Sequence, residues 1–275
     1  MTKITAADVN KLRQLTGVGM MDCKKALVES EGDMDKAMDL LRQKGQKLAG
    51  KRADRDANEG VVLAKTSDDK KYGAVIMINC ETDFVGKNED FIAFAQNVLD
   101  HGVAAKAKTK EEVLDLTIDG SKVSELITDQ VGKIGEKIEL SHYEIVEAES
   151  VCSYIHQGNR LASVVGLNKA GFEHEGHEVA MQVAAMAPIS VDKDAVPADV
   201  IEREMEVYRA QVREEGKPEN MVEKIAQGKL NKFFKESTLL SQVSVRDGKK
   251  TVEECLKDAD KDLTVTAFQR LMLGA

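Results

Sequence analysis

The sequence has no tryptophan, and only 4% of its residues are aromatic. Proteins that bind single-stranded nucleic acid stack the bases on aromatic side chains, so the material for such a surface is scarce here. The formal net charge of −9 also disfavours sequence-independent binding of nucleic acid, which depends on dense lysine and arginine. We therefore expect a protein partner and no direct nucleic-acid contact.

Long apolar runs and metal-ligand patterns are missing as well. No apolar stretch approaches the roughly 20 residues of a membrane helix, and the N-terminus lacks the basic start and apolar segment of a secretory signal. The cysteines are scattered without a CxxC pair, which predicts reduced thiols and neither a zinc site nor a disulfide framework. We expect a cytoplasmic protein without membrane contact, metal or cofactor.

The N-terminal 46 residues have the pattern of three short helices. Thr5 and Asp8 form a capping box, and apolar residues recur at helical spacing between it and Gly17. A second helix ends before Gly32, and a third, capped by Asp33, ends near Gly45. These residues predict a compact N-terminal module, 1–46, followed by a charged linker, 47–59.

From Gly60 onward the pattern alternates between strands and helices. A hairpin over 61–80 is followed by a helix that Asn88 can cap, and a second hairpin, turning at Gly158-Asn159, is again followed by a helix. Strands are also predicted over 138–146 and 263–273. The repeated arrangement predicts an α+β core with antiparallel sheets and two related subdomains, residues 60–148 and 149–275.

A different pattern interrupts the second subdomain between residues 199 and 234. Two narrow apolar stripes lie on either side of Gly216-Lys217-Pro218, where a helix cannot continue. This predicts an antiparallel coiled-coil hairpin that projects from the core.

Three blocks of the sequence resemble the bacterial elongation factor Ts family. They are Arg13-Gln14-Leu15-Thr16-Gly17-Val18-Gly19-Met20-Met21-Asp22-Cys23-Lys24-Lys25-Ala26-Leu27, then Asn79-Cys80-Glu81-Thr82-Asp83-Phe84-Val85, and finally Gly216-Lys217-Pro218 with Val222-Glu223-Lys224-Ile225 and Gly228-Lys229-Leu230. The resemblance implies a ubiquitin-associated type of fold for the N-terminal module. It also implies a guanine-nucleotide exchange factor that binds elongation factor Tu, both GDP-bound and nucleotide-free, in translation elongation.

The same resemblance implies which residues contact the partner. They come from the N-terminal module, from the turn after the first hairpin, from the loop before a core strand and from the second hairpin: Met20, Met21, Lys24, Thr82, Asp83, Phe84, Val85, Ile134, Gly135 and His156. No residue is expected to catalyse covalent chemistry. Adjacent residues on a helix cannot both face one core, so at least one of Met20 and Met21 is expected to be exposed.

Phe84 has two interpretations. The residue pattern alone favours a cap over its own core, covering Phe91 and Phe94, whereas the resemblance implies an exposed wedge that enters the GTPase near its magnesium and phosphate site. Three alternatives to exchange also remain: a helix-docking scaffold without exchange activity, an enzyme with Cys23 or Cys80 as nucleophile, and a ribosome or RNA role, which the acidic balance disfavours. A one-to-one complex and a dimer or doubled complex are both compatible with the sequence.

Overall fold

The computed structural model describes residues 4–274. Within them it has eleven α-helices and eight β-strands, and all of its sheets are antiparallel. The chain therefore has the mixed α and β class with small antiparallel sheets that the sequence predicts. No helix in this range is both long enough and apolar enough to cross a membrane.

The chain begins with three helices, α1 (Ala6–Thr16), α2 (Met20–Glu29) and α3 (Met34–Arg52). The capping box of Thr5 and Asp8 is present, and Gly17 ends α1 in the left-handed conformation, φ 66°. The core of this group is small, and its fully buried side chains are Leu12, Cys23, Leu27 and Ala37. Met1, Thr2 and Lys3, which belong to the predicted module, lie outside the described residues.

Helix α3 is longer than predicted, because it continues past Gly45 to Arg52. Gly45 is buried in the middle of the helix, where it meets the backbone of Gly132 in a later helix. Beyond it, Leu48 and Ala49 pack against the main core. The segment predicted to begin a charged linker at residue 47 is thus helical at its start, and the glycine permits close packing instead of ending the helix.

The first sheet consists of β1 (Glu59–Thr66), β2 (Tyr72–Cys80) and β5 (Glu139–Glu147), in the order β1-β2-β5. Between β2 and β5 the chain forms α4 (Asp83–Gly86), α5 (Glu89–Ala104), α6 (Lys110–Asp115) and α7 (Val123–Ile134). Asn88 caps α5 as predicted. Helix α6 and the small hairpin of β3 (Thr117–Ile118) and β4 (Ser121–Lys122) were not predicted.

The second sheet consists of β6 (Ser150–Ile155), β7 (Leu161–Leu167) and β8 (Val265–Met272), in the order β6-β7-β8. Helix α8 (Glu173–Met186) follows β7, and α11 (Val252–Ala259), which begins with a capping box of Thr251 and Glu254, precedes β8. The predicted repetition of hairpin and helix is therefore observed in β1-β2-α5 and in β6-β7-α8.

The two sheets pack face to face between two layers of helices. Alternate residues of β1 point in opposite directions, so that Val61 packs towards α5 whereas Val62 packs against the second sheet. Strand β2 is buried along its whole length, because one of its faces packs towards α5 and the other against the second sheet. A buried strand of this kind gives a rigid base to the residues that follow its end at Cys80.

Helices α9 (Ala198–Glu214) and α10 (Glu219–Ser237) form a hairpin with its own apolar seam. Met205, Ala226 and Leu230 are buried in that seam. Across its surface, Arg209 donates two hydrogen bonds of 2.8 Å to the carboxylate of Glu223. The two helices run in opposite directions, as the stripes and the Gly-Lys-Pro turn predict.

Candidate functional site

Phe84 lies on the single helical turn α4, directly after the buried strand β2. Its side chain is 83% exposed, more than any other large apolar side chain in residues 4–274. The core-cap interpretation is therefore wrong. Val85 packs against the core instead, and a Cβ added to buried Gly86 would lie 2.8 Å from the carbonyl oxygen of Gly60. Because neighbouring helical residues point about 100° apart, this seating turns Phe84 outward.

Asp83, the first residue of α4, is tied to its own helix. The Nζ atom of Lys87 donates a hydrogen bond of 2.6 Å to Oδ2 of Asp83. That hydrogen bond is the main reason why the pKa of Asp83 lies below its usual value. The carboxylate is thus charged at neutral pH and stands beside Phe84 on the protein surface.

The start of α4 is held by a carboxylate from the loop before β5. Oε2 of Glu136 accepts the backbone N–H groups of Glu81 and Thr82 at 3.1 and 3.0 Å, and its Oε1 accepts the Thr82 hydroxyl at 2.7 Å. Thr82 does not cap α4 with its own side chain. Glu136, which no sequence motif marks, therefore holds the two residues that lead into this helix.

Glu81 completes the arrangement from the other side. Its carboxylate accepts the backbone N–H of Lys137 at 2.6 Å and the guanidinium groups of Arg52 and Arg55 at 2.6 and 3.0 Å. Burial alone raises the pKa of Glu81, but these hydrogen bonds outweigh it and bring the pKa down to about 2. Glu81 thus links the end of α3 to the base of α4.

An open groove of about 460 Å³ adjoins Phe84. Its lining includes Thr82, Phe84 and Val85 from the turn, Ile134 from the end of α7, and Gly17 from the N-terminal helices. Gly135 follows Ile134 in the left-handed conformation, φ 84°, and ends the helix. The structure therefore brings four of the ten predicted contact residues together around one groove.

Met20, Met21 and Lys24 lie on α2, and all three are exposed. The sequence predicted that at least one of the methionines is exposed, and both are, at 56% and 63%. Val28 shares the face of Met21 and Lys24, because residues three and seven positions along are neighbours on a helix. Val28 and Leu15 are 59% and 60% exposed, so the N-terminal helices expose four large apolar side chains, Leu15, Met20, Met21 and Val28.

The exposure of Met20 agrees with its predicted place among the contact residues, whereas Leu15 belongs to the apolar spacing of α1 and is exposed all the same. Each lies next to the turn Gly17-Val18-Gly19, at the edge of a three-helix group whose core is formed by other residues. A small core buries only the central part of each apolar stripe.

His156 is exposed near the turn of the second hairpin and does not line the groove beside Phe84. Its Nδ1 lies 2.9 Å from the hydroxyl of Tyr154. The carbonyl oxygen of Asn159 in the same turn accepts the N–H of Val62 at 2.7 Å, which anchors the turn to the first sheet. The predicted contact residues thus lie on three surfaces, on α2, around α4 and at this hairpin.

The chemistry of Cys80 opposes the nucleophile alternative. The side chain is fully buried, its burial raises the pKa of the thiol to about 12, and Sγ donates to the carbonyl oxygen of Thr82 at 3.1 Å. A protonated thiol is a poor nucleophile at neutral pH. Cys23 is fully buried as well.

Comparison with known sequences identifies one family. The sequence model described as Elongation factor TS matches residues 81–275. The elongation factor Ts of Christiangramia forsetii is 50% identical over all of both chains, and that of Amoebophilus asiaticus is 52% identical over 99% of each. The elongation factor Ts of Flavobacterium psychrophilum is 47% identical over all of both chains. The chain belongs to the elongation factor Ts family and so to the factors of translation elongation.

Proposed function

We propose that this chain is a guanine-nucleotide exchange factor that binds elongation factor Tu and speeds the release of its GDP. The observation that carries the proposal is Phe84, an apolar ring 83% exposed on a turn that is fixed at its base. A large exposed apolar side chain gains free energy when a partner covers it, and aromatic side chains are frequent anchors of protein interfaces. Its neighbours Thr82, Asp83 and Val85 belong to the same contact.

The partner's nucleotide site explains why such a wedge is effective. A P-loop protein holds GDP through backbone amides, a lysine and a magnesium ion, and all of these depend on exact placement. A ring inserted beside the helices that carry them displaces packed elements as units and spoils the magnesium geometry. No group of this chain needs to donate a proton or form a covalent bond, so the activity is exchange without covalent chemistry.

Linkage relates the binding of the factor to the binding of the nucleotide. A factor that binds the nucleotide-free GTPase tightly must weaken nucleotide binding by the same factor by which nucleotide weakens its own binding. Lowering the barrier to GDP release by about 5 kcal/mol accelerates release by several thousandfold. One exposed ring is too little for this, so further contacts are part of the proposal.

The additional contacts come from the other two surfaces. Met20, Met21 and Lys24 on α2 bind the nucleotide domain of the partner, with Leu15 and Val28 beside them. Ile134 and Gly135 extend the wedge surface, and His156 contributes from the second hairpin. In this proposal residues 1–46 are a ubiquitin-associated type of module, 47–59 a connecting segment, 60–148 and 149–275 the two subdomains, and 199–234 a projecting coiled coil.

The test loads elongation factor Tu with a fluorescent GDP analogue and follows its release after adding this protein. We expect strong acceleration by the unmodified chain and loss of most of it in Phe84→Ala. Met221→Ala removes another exposed apolar side chain, 44% exposed on α10, and serves as the matched control that should retain full activity. If the unmodified chain does not accelerate release, the exchange function is wrong.

A scaffold without exchange activity is the second candidate, and the exposed apolar surface of α2 is the observation that favours it. In that case the N-terminal helices act as a general helix-docking module, and the chain leaves GDP release unchanged. Sedimentation analysis of the complex distinguishes one copy of each protein from a doubled assembly.

A further inference from the structure

Helix α4 is too short to be stable by itself. It has four residues, Asp83–Gly86, and nucleating a single helical turn costs free energy that a longer helix recovers by propagation. Its N-cap residue, Thr82, makes no side-chain hydrogen bond to the helix backbone. The direction in which Phe84 points must therefore be set by contacts from outside the turn.

Some of those contacts are the packing of Val85 on the core and of Gly86 on Gly60, and the others come from two crossed carboxylates. Glu136 accepts three hydrogen bonds from Glu81 and Thr82, and the carboxylate of Glu81 in turn accepts the backbone N–H of Lys137. Hydrogen bonds to an ionised carboxylate are stronger and more directional than those between neutral groups. The segment after β2 and the segment before β5 thus each hold the backbone of the other. Together, the two carboxylates fix the base of α4.

Glu81 extends this arrangement to the N-terminal helices. Its side chain is 14% exposed and binds Arg52 at the last residue of α3, and Arg55 just beyond it. Nζ of Lys137 donates a hydrogen bond of 3.0 Å to the carbonyl oxygen of Arg55. The end of α3, the base of α4 and the start of β5 are therefore joined at one point.

We propose that Glu136 is a positioning residue, whose carboxylate fixes the direction of the Phe84 ring, and that Glu81 couples that direction to α3. The role rests on the proposed exchange function, since an oriented ring matters only where it enters a partner. Glu136 itself is partly covered by the turn and acts through Thr82 and Phe84.

A positioning role can be distinguished from a general loss of stability by the kinetic constant that changes in the variant. A variant that merely unfolds in part lowers the concentration of active protein, so it raises the half-saturating concentration and leaves the maximal rate of GDP release unchanged. A variant with a misdirected ring still binds through α2, but it destabilises the bound nucleotide less. Loss of positioning therefore lowers the maximal rate.

The first test compares Glu136→Ala with Glu136→Gln in GDP release at saturating factor. The alanine variant should lose about tenfold in maximal rate, the effect of one to two hydrogen bonds to a charged group. The glutamine variant should keep most of the activity, because its amide oxygen can accept both N–H groups while its NH₂ donates to Oγ1 of Thr82. Glu149→Ala, which removes a carboxylate paired with Lys71 at 3.1 Å, is the control and should match the unmodified chain.

The second test needs no partner. The chain has no tryptophan, so Phe84→Trp introduces a single indole at the tip of α4. Time-resolved anisotropy should show a limited fast component from rotation of the exposed side chain itself, and a clearly larger one after Glu136→Ala is added, because the backbone of the turn then moves as well. This readout decides the positioning role even if the unmodified chain proves to have no exchange activity.

The proposal is overturned if Glu136→Ala keeps the full maximal rate while the unmodified chain is active. It is equally overturned if the anisotropy of the indole is the same with and without the Glu136 carboxylate. A glutamine variant as inactive as the alanine variant would also contradict it, because the predicted hydrogen bonds survive in the amide.

Discussion

Gly45 of α3 and Gly132 of α7 cross backbone against backbone. A Cβ built on Gly132 would lie 3.0 Å from the Cα of Gly45, and one built on Gly45 would lie 3.4 Å from the Cα of Gly132. Close beside this crossing, Lys133 lies over Gly17, where an added Cβ would meet its Cε at 2.5 Å. The N-terminal helices are therefore fixed to the helix that ends at Ile134 in the groove beside Phe84.

The first prediction concerns this crossing. Gly132→Ala should destabilise the protein by about 1–2 kcal/mol, because the new methyl group meets a helix backbone that cannot move independently. Gly50→Ala, at an exposed position of α3 where a Cβ meets nothing within 4 Å, should instead stabilise by up to about 1 kcal/mol. Urea unfolding measures both, and amide hydrogen exchange should show faster opening of α3 only in Gly132→Ala. Equal stabilisation by the two variants would contradict the crossing.

The second prediction separates Phe84 from the core. Phe84→Ala should change the free energy of unfolding by less than about 0.5 kcal/mol, because its ring is already in water. Phe91→Ala, which removes a ring that is 1% exposed, should cost about 3–5 kcal/mol. Thermal and urea unfolding of both variants give the comparison. A large loss of stability in Phe84→Ala would mean that the ring packs on its own protein in solution.

The third prediction is a pH dependence of stability due to Glu81. Its pKa is about 2 in the folded chain and 4.5 without interactions, so its stabilising effect is complete above pH 4.5 and is lost as the pH falls towards 2. Glu81→Gln should therefore be less stable than the unmodified chain by about 2 kcal/mol at pH 7, as expected for hydrogen bonds to a charged group. The difference should shrink steadily below pH 4.5 in urea titrations at fixed ionic strength. A difference that stays constant down to pH 3 would show that the charge of Glu81 is not its cause.

The fourth prediction concerns the hairpin of α9 and α10. Replacing residues 199–234 by a short glycine-serine linker should leave the maximal rate of GDP release within about twofold, because the hairpin buries its apolar residues mainly against itself. Circular dichroism should show the loss of two helices while the thermal transition of the sheets persists. A tenfold or larger fall in the rate of the folded variant would assign the hairpin a contact with the partner.

Local signals in the sequence predict the elements of this fold well. Asn88 and the box of Thr251 and Glu254 each satisfy backbone donors within three residues, so their caps can be recognised without knowledge of the rest of the chain. Gly45 shows the limit of such reasoning. Whether a glycine ends a helix or permits close packing depends on Gly132, which lies far away along the sequence.

The candidate site depends even more on distant contacts. The direction of Phe84 is decided by the contact of Gly86 with Gly60 and by Glu136, whose hydrogen bonds to Glu81 and Thr82 span 55 and 54 residues. No periodicity records such pairs. The only local signal for Glu136 was its place directly after Ile134 and Gly135, both of which the family resemblance had selected.

The exposed ring of Phe84 has a consequence for the protein when it is alone. Since α4 is anchored at Thr82 and Val85 already fills the place beneath it, the ring cannot fold back onto its own core when no partner is present. The unbound chain therefore always exposes one large apolar side chain, and we expect copies of it to associate weakly through this ring at high concentration. The net charge of −9 opposes that adhesion by mutual repulsion, so salt should promote clustering of the free protein more strongly than it does in Phe84→Ala.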